Sequence, residues 1–201
     1  MARTKSRFVC QECGYVASSW LGRCPECGGW NTLVEEAEVT AKASKSYLPT
    51  NNEKLRPRTI ASVAQTKVER LATGIREFDR VLGGGVVPGS LILLGGTPGI
   101  GKSTILLDAG LRFGQQGIKV LYVSGEESEE QTAMRAVRLG GAQANDNLLI
   151  LTATDLDAIL AQANALKPQL LIIDSIQTMY NPELQTAAGS VGQVRECTAK
   201  L

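Results

Sequence analysis

Two short patterns in this 201-residue chain carry residue types that do chemistry. The first is a pair of cysteine knuckles, Cys10-x2-Cys13 and Cys24-x2-Cys27, with ten residues between them. That spacing lets four thiolates surround one Zn²⁺ tetrahedrally, each knuckle supplying two corners. Gly14 and Gly28 follow the second cysteine of each knuckle, where the chain must turn tightly enough to aim backbone N–H groups at sulfur, and Pro25 stiffens the second turn. The alternatives are two disulfides or a redox pair. A redox site needs one CxxC, not two, and a module of ~25 residues cannot fold on apolar burial alone, so structural zinc is expected. With every position taken by thiolate no site is left open for catalysis. Trp20 and Trp30 lie in this segment; they could stack on bases, but packing against the small core is the expectation.

The second pattern is Gly96-Thr97-Pro98-Gly99-Ile100-Gly101-Lys102-Ser103, followed by Thr104, which satisfies G-x-x-x-x-G-K-[ST] at every fixed position. The glycines let consecutive N–H groups and a helix N-terminus face phosphates, Lys102 neutralises β/γ oxygens, and the Ser103 hydroxyl is a Mg²⁺ ligand. A nucleoside triphosphate and Mg²⁺ are thus the expected ligands of this loop, beside Zn²⁺ at the cysteines. Leu170-Leu171-Ile172-Ile173-Asp174 is an apolar run ending in one carboxylate, placed where ligands bind in open parallel sheets; Asp174 is expected to hold Mg²⁺ through water. Hydrolysis further requires a base to align water. Glu126 and Glu127 follow the run Val120–Val123, and Glu126 is the candidate, against the alternative that acidic residues 126–130 only open a helix.

The elements that would position these groups alternate. Leu91–Leu94, Val120–Val123, Leu148–Leu151 and Leu170–Ile173 are short apolar runs that predict fully buried strands. Between them, Lys102–Gln116, Glu129–Leu139 and Asp155–Ala165 predict crossover helices, with Ser128 and Thr154 as caps of the last two. Strands and helices at this spacing indicate an α/β core with a parallel sheet covered on both faces. Val191–Leu201 predicts a helix that stops without a Gly or Pro signal, with Cys197 as a buried helix residue, or alternatively a reactive thiol. The expected organisation is a zinc-finger module at 1–34, a flexible linker at 35–66 rich in Ala, Lys, Ser, Thr and Asn, and a nucleotide-binding core at 67–201, with order resuming near Val68.

Composition narrows the classes. The chain has no histidine, which excludes Ser-His-Asp and Cys-His hydrolases. An apolar fraction of 43% supports a buried core, and no run approaches the ~18 residues that span a bilayer, so a cytoplasmic location without membrane contact is expected. The net charge of +1 conceals a basic middle: residues 39–72 carry +5, against −1 before and −3 after. Those charges are dispersed, which reads as a solvated linker and argues neither for nor against nucleic acid.

With these residues in hand the chain resembles the bacterial RadA/Sms family. The resemblance rests on the four-cysteine module, on TGIREFDRVLGGG from Thr73 to Gly85, on Val87-Pro88-Gly89-Ser90 and on the P-loop, in that order. It implies a RecA-like P-loop core, incomplete here, that hydrolyses ATP, assembles into homo-oligomeric rings, binds single-stranded or branched DNA, works beside a RecA-type recombinase and promotes branch migration. By the same resemblance the catalytic glutamate closes the strand after the P-loop helix, at Glu126 with Glu127 beside it. The segment Gln177–Ser190 resembles a DNA-facing loop, with Tyr180, Gln185 and Ser190 as candidate contacts. Complete members continue through the rest of the core, a Lys-Asn-Arg-Phe-Gly motif and a Lon-protease-like domain, so the chain is expected to be C-terminally truncated, without the arginine or lysine fingers of that region.

Overall fold

The computed structural model describes residues 6–37, 57, 59–64, 69–141, 146–184 and 186–201. Val68 and Gln185 lie outside the described residues. Cα packing divides the chain into two units, Met1–Glu38 together with Leu94–Leu201, and Val39–Leu93.

The cysteine segment forms three antiparallel strands, β1 (Ser6–Cys10), β2 (Val16–Ala17) and β3 (Leu33–Ala37), ordered β2-β1-β3. Cys10 faces Leu33 and Val9 faces Val34 across the β1–β3 ladder. β3 therefore extends past residue 34, where the module was expected to end. Its core is Cys10, Ala17, Cys24 and Leu33, with Phe8 and Tyr15 packed against them. The expected packing of the tryptophans is not seen: Trp20 is 56% and Trp30 70% exposed. Sulfur, Leu33 and two aromatic rings already fill so small a core, and Trp30 instead carries the Arg23 guanidinium 5.8 Å above its ring.

In the second unit α1 (Ile60–Ala64) is a short helix inside the expected linker, and α2 (Arg76–Val81) lies within the TGIREFDRVLGGG segment. Asp79 organises this segment by accepting from Thr73 N (2.8 Å), Thr73 Oγ1 (2.8 Å) and Gly74 N (3.0 Å). Burial alone would raise its carboxyl, but these three donors hold it below the usual range. Leu71 and Val86 exchange both backbone hydrogen bonds at 2.8 Å. Gly85 is required beside that bridge, since a Cβ there would stand 2.5 Å from the Leu71 carbonyl oxygen.

The predicted strand Leu91–Leu94 does not form. Residues 91–97 have no regular structure, and Leu91 and Leu93 are 74% and 83% exposed. An apolar run becomes a strand only where a neighbour supplies its ladder, and among the described residues none does.

The remaining predicted elements appear: α3 (Lys102–Gln115), β4 (Val120–Ser124), α4 (Glu129–Arg138), β5 (Leu148–Thr152), α5 (Leu156–Leu166), β6 (Leu170–Asp174) and α6 (Val191–Lys200); a 3-10 turn (Ile176–Thr178) that was not expected follows β6. The strands form a parallel sheet ordered β5-β4-β6, with Tyr122 beside Ile150 and Ile172, and Ser124 beside Thr152 and Asp174. Strand alternation splits the core between two faces. Leu121 and Val123 pack with Leu156 and Ile159 of α5, Met179 and Cys197. On the opposite face Gly110 of α3 comes so close that a Cβ would lie 3.4 Å from Ile172 and Leu148. Only the central strand is buried throughout; β5 and β6, expected to be fully buried, are half-buried because each has one neighbour.

Ser128 caps α4 in a reciprocal capping box with Gln131, as predicted. The cap of α5 is Asp155, not Thr154: the Asp155 carboxylate accepts from Asp157 N at 2.9 Å and Ala158 N at 3.2 Å, while the Thr154 carbonyl is taken by Tyr180 N.

Candidate nucleotide and metal sites

The P-loop enters α3 through Gly99 and Gly101, whose φ angles of 76° and 102° are open to glycine at little cost. No side chain caps α3, so no side-chain acceptor takes its first N–H groups. Lys102 folds back over the loop, its Nζ donating to Gly96 O at 2.9 Å and Thr97 O at 3.0 Å. Ser103, one residue on, donates to Asp174 Oδ1 at 3.0 Å, which brings the start of α3 to the end of β6. Gly96, Thr97, Pro98, Ile100 and Thr104 complete the loop and the first turn.

Asp174 has a second partner that the sequence did not disclose. Tyr122, 1% exposed, donates from its phenol to Asp174 Oδ2 at 2.5 Å. Burial, and then the adjoining carboxylate, push that phenol well above its ordinary range, so it stays a neutral donor.

The two glutamates separate in role. At the end of β4, Gly125 N donates to Asp174 O at 2.8 Å, tying the turn after β4 to the turn after β6. Glu126 then lies beside Asp174's neighbour, accepting from Ser175 Oγ at 2.9 Å on Oε1. Glu127 is engaged otherwise: Arg135 of α4 pairs with its carboxylate, and its backbone exchanges bonds with the Ser124 hydroxyl. Glu129 and Glu130 open α4, where acidic side chains suit the helix dipole. Ser175 and Arg135 escaped sequence reading; the only signal was a serine directly after the strand-ending aspartate and a basic residue in the last turn of a helix that opens on two glutamates.

The loop after β6 is pinned. Tyr180 exchanges backbone bonds with Thr154 and Leu156, its hydroxyl lies 3.4 Å from Asp155, and Ser190 caps α6. Gln193, 1% exposed, accepts from Asn181 N and donates to the carbonyls of Asn181 and Thr186. Cys197 is fully buried, and burial raises its thiol.

In the cysteine module the Sγ atoms of Cys10, Cys13, Cys24 and Cys27 all lie within 4.8 Å of one another. Cys10 and Cys27 stand 3.7 Å apart, and Cys13 and Cys24 3.6 Å. Four sulfurs at about 2.3 Å from a tetrahedral Zn²⁺ are about 3.8 Å apart, so the cluster fits that ion. The two knuckles are built alike: Gly14 N donates to Cys10 O and Gly28 N to Cys24 O, both at 2.9 Å, with glycine φ of 77° and 75°. The Thr32 hydroxyl, 3.2 Å from Cys10 Sγ, does most to bring that thiol down to about 6. At Cys27 the Gly29 N–H works in the same direction, but burial and the neighbouring sulfurs outweigh it and leave the thiol at about 12. Thiols crowded in this way ionise together only around a cation.

Among the described residues no helix is long and apolar enough to cross a membrane. Residues 56–201 match a family model described as an AAA domain, and residues 8–35 one described as a rubredoxin metal binding domain. Over its whole length the chain is similar to proteins named DNA repair protein RadA: 50% identical to that of Halalkalibacterium halodurans over 202 residues, 47% to that of Bacillus subtilis over 203 and 46% to that of Listeria monocytogenes over 200. It spans 43–44% of the length of these relatives. The chain belongs to the AAA-domain family and carries a four-cysteine module at its N-terminal side.

Proposed function

We propose that this chain is the nucleotide-binding part of a DNA-dependent ATPase of DNA repair and homologous recombination, one that processes and branch-migrates recombination intermediates on single-stranded DNA. The observation that carries the reading is the meeting of Ser103, Asp174 and Glu126 from three separate elements at one end of a parallel sheet. In this reading the P-loop backbone and the α3 N-terminus cradle the phosphates, and Lys102 leaves the Gly96 and Thr97 carbonyls to meet the β/γ oxygens. Ser103 and Asp174 offer a hydroxyl and a carboxylate, the hard oxygen donors that Mg²⁺ takes, and the ion when bound would neutralise charge on the β- and γ-phosphates. Glu126 exchanges its bond from Ser175 for a water and aligns that water on the γ-phosphate as general base. Glu127, held by Arg135, keeps the turn in place. The four thiolates hold structural Zn²⁺.

DNA, a RecA-type recombinase and assembly into a homo-oligomeric ring belong to this proposal; the likeness to proteins named DNA repair protein RadA supports the first, and the recombinase and the ring rest on the family resemblance of the sequence motifs. A second reading, in which the zinc module recruits a partner and ATP sets a conformational state, is favoured by one observation, the exposure of Trp20 and of Trp30, the latter beneath Arg23.

The test is ATP hydrolysis by the zinc-loaded chain with and without single-stranded DNA, beside Lys102→Ala. DNA-stimulated turnover that Lys102→Ala abolishes is expected. Nucleotide binding without turnover, together with capture of a partner through the zinc module, would favour the second reading.

A further inference from the structure

We propose that Tyr122 is a positioning residue for the nucleotide-site cation, its phenol fixing the Asp174 carboxylate so that Ser103 presents its lone pairs to Mg²⁺. This rests on the reading of Ser103 and Asp174 as the cation site. Three groups form a directed chain: Tyr122 Oη donates to Asp174 Oδ2 at 2.5 Å, and Ser103 Oγ donates to Asp174 Oδ1 at 3.0 Å. With its hydrogen committed to Oδ1, the Ser103 oxygen has only lone pairs left, and those are what a hard cation requires. The order holds only while Oδ1 remains the acceptor for Ser103. A carboxylate held by one hydrogen bond can rotate about its side chain and turn away from Ser103, which frees the hydroxyl hydrogen to point at the cation. Tyr122 removes that freedom by occupying the second oxygen.

Tyr122 is suited to the task because it cannot move. It is 1% exposed and sits in the central strand, with Ile150 and Ile172 as register neighbours, on the face that α3 covers. The bond joins residues 52 apart, so it also locks the end of β6 to the middle of β4 beside the ladder itself. Neighbouring charge belongs to the Glu127–Arg135 pair, which is internally balanced and leaves the Asp174 carboxylate as the acceptor for the phenol. Sequence reading placed Tyr122 among the core residues of a strand, and its ring does serve there; the hydroxyl is the part that core packing does not require.

The experiment is a Mg²⁺ titration of fluorescent ATP-analogue binding to the 201-residue chain, compared with Tyr122→Phe, Asp174→Asn and the double variant. The expected result for Tyr122→Phe is a midpoint moved to higher Mg²⁺ by roughly ten- to hundredfold, the effect of one hydrogen bond to a charged group, with the affinity in EDTA unchanged. On the Asp174→Asn background the same change should add nothing, because the phenol acts only through that carboxylate. If Asp174→Asn leaves the Mg²⁺ dependence intact, or the parent shows no Mg²⁺-dependent binding, the cation-site reading fails and this proposal with it. If Asp174→Asn removes the dependence but Tyr122→Phe leaves the midpoint in place, or weakens binding equally in EDTA, the positioning role alone is overturned. Should Tyr122→Phe not fold, 3-fluorotyrosine in the parent chain, assigned with Tyr15→Phe, Tyr47→Phe and Tyr180→Phe, decides the same question: the Tyr122 resonance must move when Mg²⁺ joins bound nucleotide, and a resonance that ignores the metal overturns the role.

Discussion

The Ser175 hydroxyl donates to Glu126 Oε1 at 2.9 Å, linking the turn after β6 to the turn after β4 across 49 residues. Its neighbour Glu127 is turned to Arg135, and this difference in partners is what distinguishes two adjacent carboxylates of the same sequence run.

Glu126→Gln and Glu127→Gln should therefore fail in different ways. The first is expected to lower DNA-stimulated ATP hydrolysis by about 10²–10⁴-fold, the range for loss of a general base, with nucleotide affinity and thermal midpoint held. The second should cost about 1 kcal/mol of stability, between the values for exposed and buried ion pairs, with a smaller effect on turnover. Steady-state rates read beside urea unfolding curves separate the two, and equal loss of turnover in both variants would remove the assignment of the base to Glu126.

Gly125 is confined by the 3-10 turn that follows Ser175. A Cβ at this position would stand 2.0 Å from Thr178 Oγ1 and 2.8 Å from Met179 Cε. Gly125→Ala should destabilise by about 1–3 kcal/mol, as overpacking does, and displace both site turns, so that Mg²⁺-nucleotide binding weakens as well. Thr178→Ala in the same chain removes the nearest atom and should restore part of the loss; calorimetric midpoints of the three variants decide this.

Native mass spectrometry should find one Zn²⁺ per chain. Stripping it with a strong chelator is expected to expose residues 6–37 to protease, because about 10–16 kcal/mol of apparent binding energy is also the folding energy of such a module. The unfolding transition of the nucleotide core should move far less. Persistence of the resistant module after complete zinc loss would show that its small core suffices alone.

Asp79 predicts a pH dependence. Its folded value lies below the unfolded one of about 3.9, so the stability it contributes is fully present above that value and is lost as pH falls through the folded value. Amide exchange at Thr73 and Gly74 should accelerate in that acid window, and Asp79→Asn should show fast exchange already at neutral pH, with the acid dependence gone. Equal protection in parent and variant at neutral pH would contradict the three-donor arrangement.

What could be read from sequence was whatever depends on neighbours along the chain. The P-loop, both cysteine knuckles, Ser128 as a cap and the helix spans are local patterns, and each appears at its expected place within a residue or two. What escaped depends on distant partners. Leu91–Leu94 has the composition of a strand but no ladder, and the choice between Thr154 and Asp155 as cap turned on Tyr180, which occupies the Thr154 carbonyl. The tryptophans looked like core because of their area, yet the sulfurs had already claimed that volume. Tyr122 and Ser175 act through contacts 52 and 49 residues long, and no spacing rule encodes such pairs.

The strand order carries a consequence for synthesis. β4 is central, yet both of its neighbours are made after it: β5 arrives first, and β6 only about 50 residues later, as Val120 pairs with Leu170. At ribosomal rates of about 5–20 residues per second, the most deeply buried strand of the sheet waits roughly 3–10 s for its second partner. During that interval α3, translated just before it, can cover one face, and β5 and α5 join before β6 does. Nascent chains arrested after β5 should still yield β4 to protease, while chains arrested once β6 has cleared the tunnel should not; the nucleotide site, whose Asp174 ends β6, is thus born in the same moment that the sheet closes over its own middle.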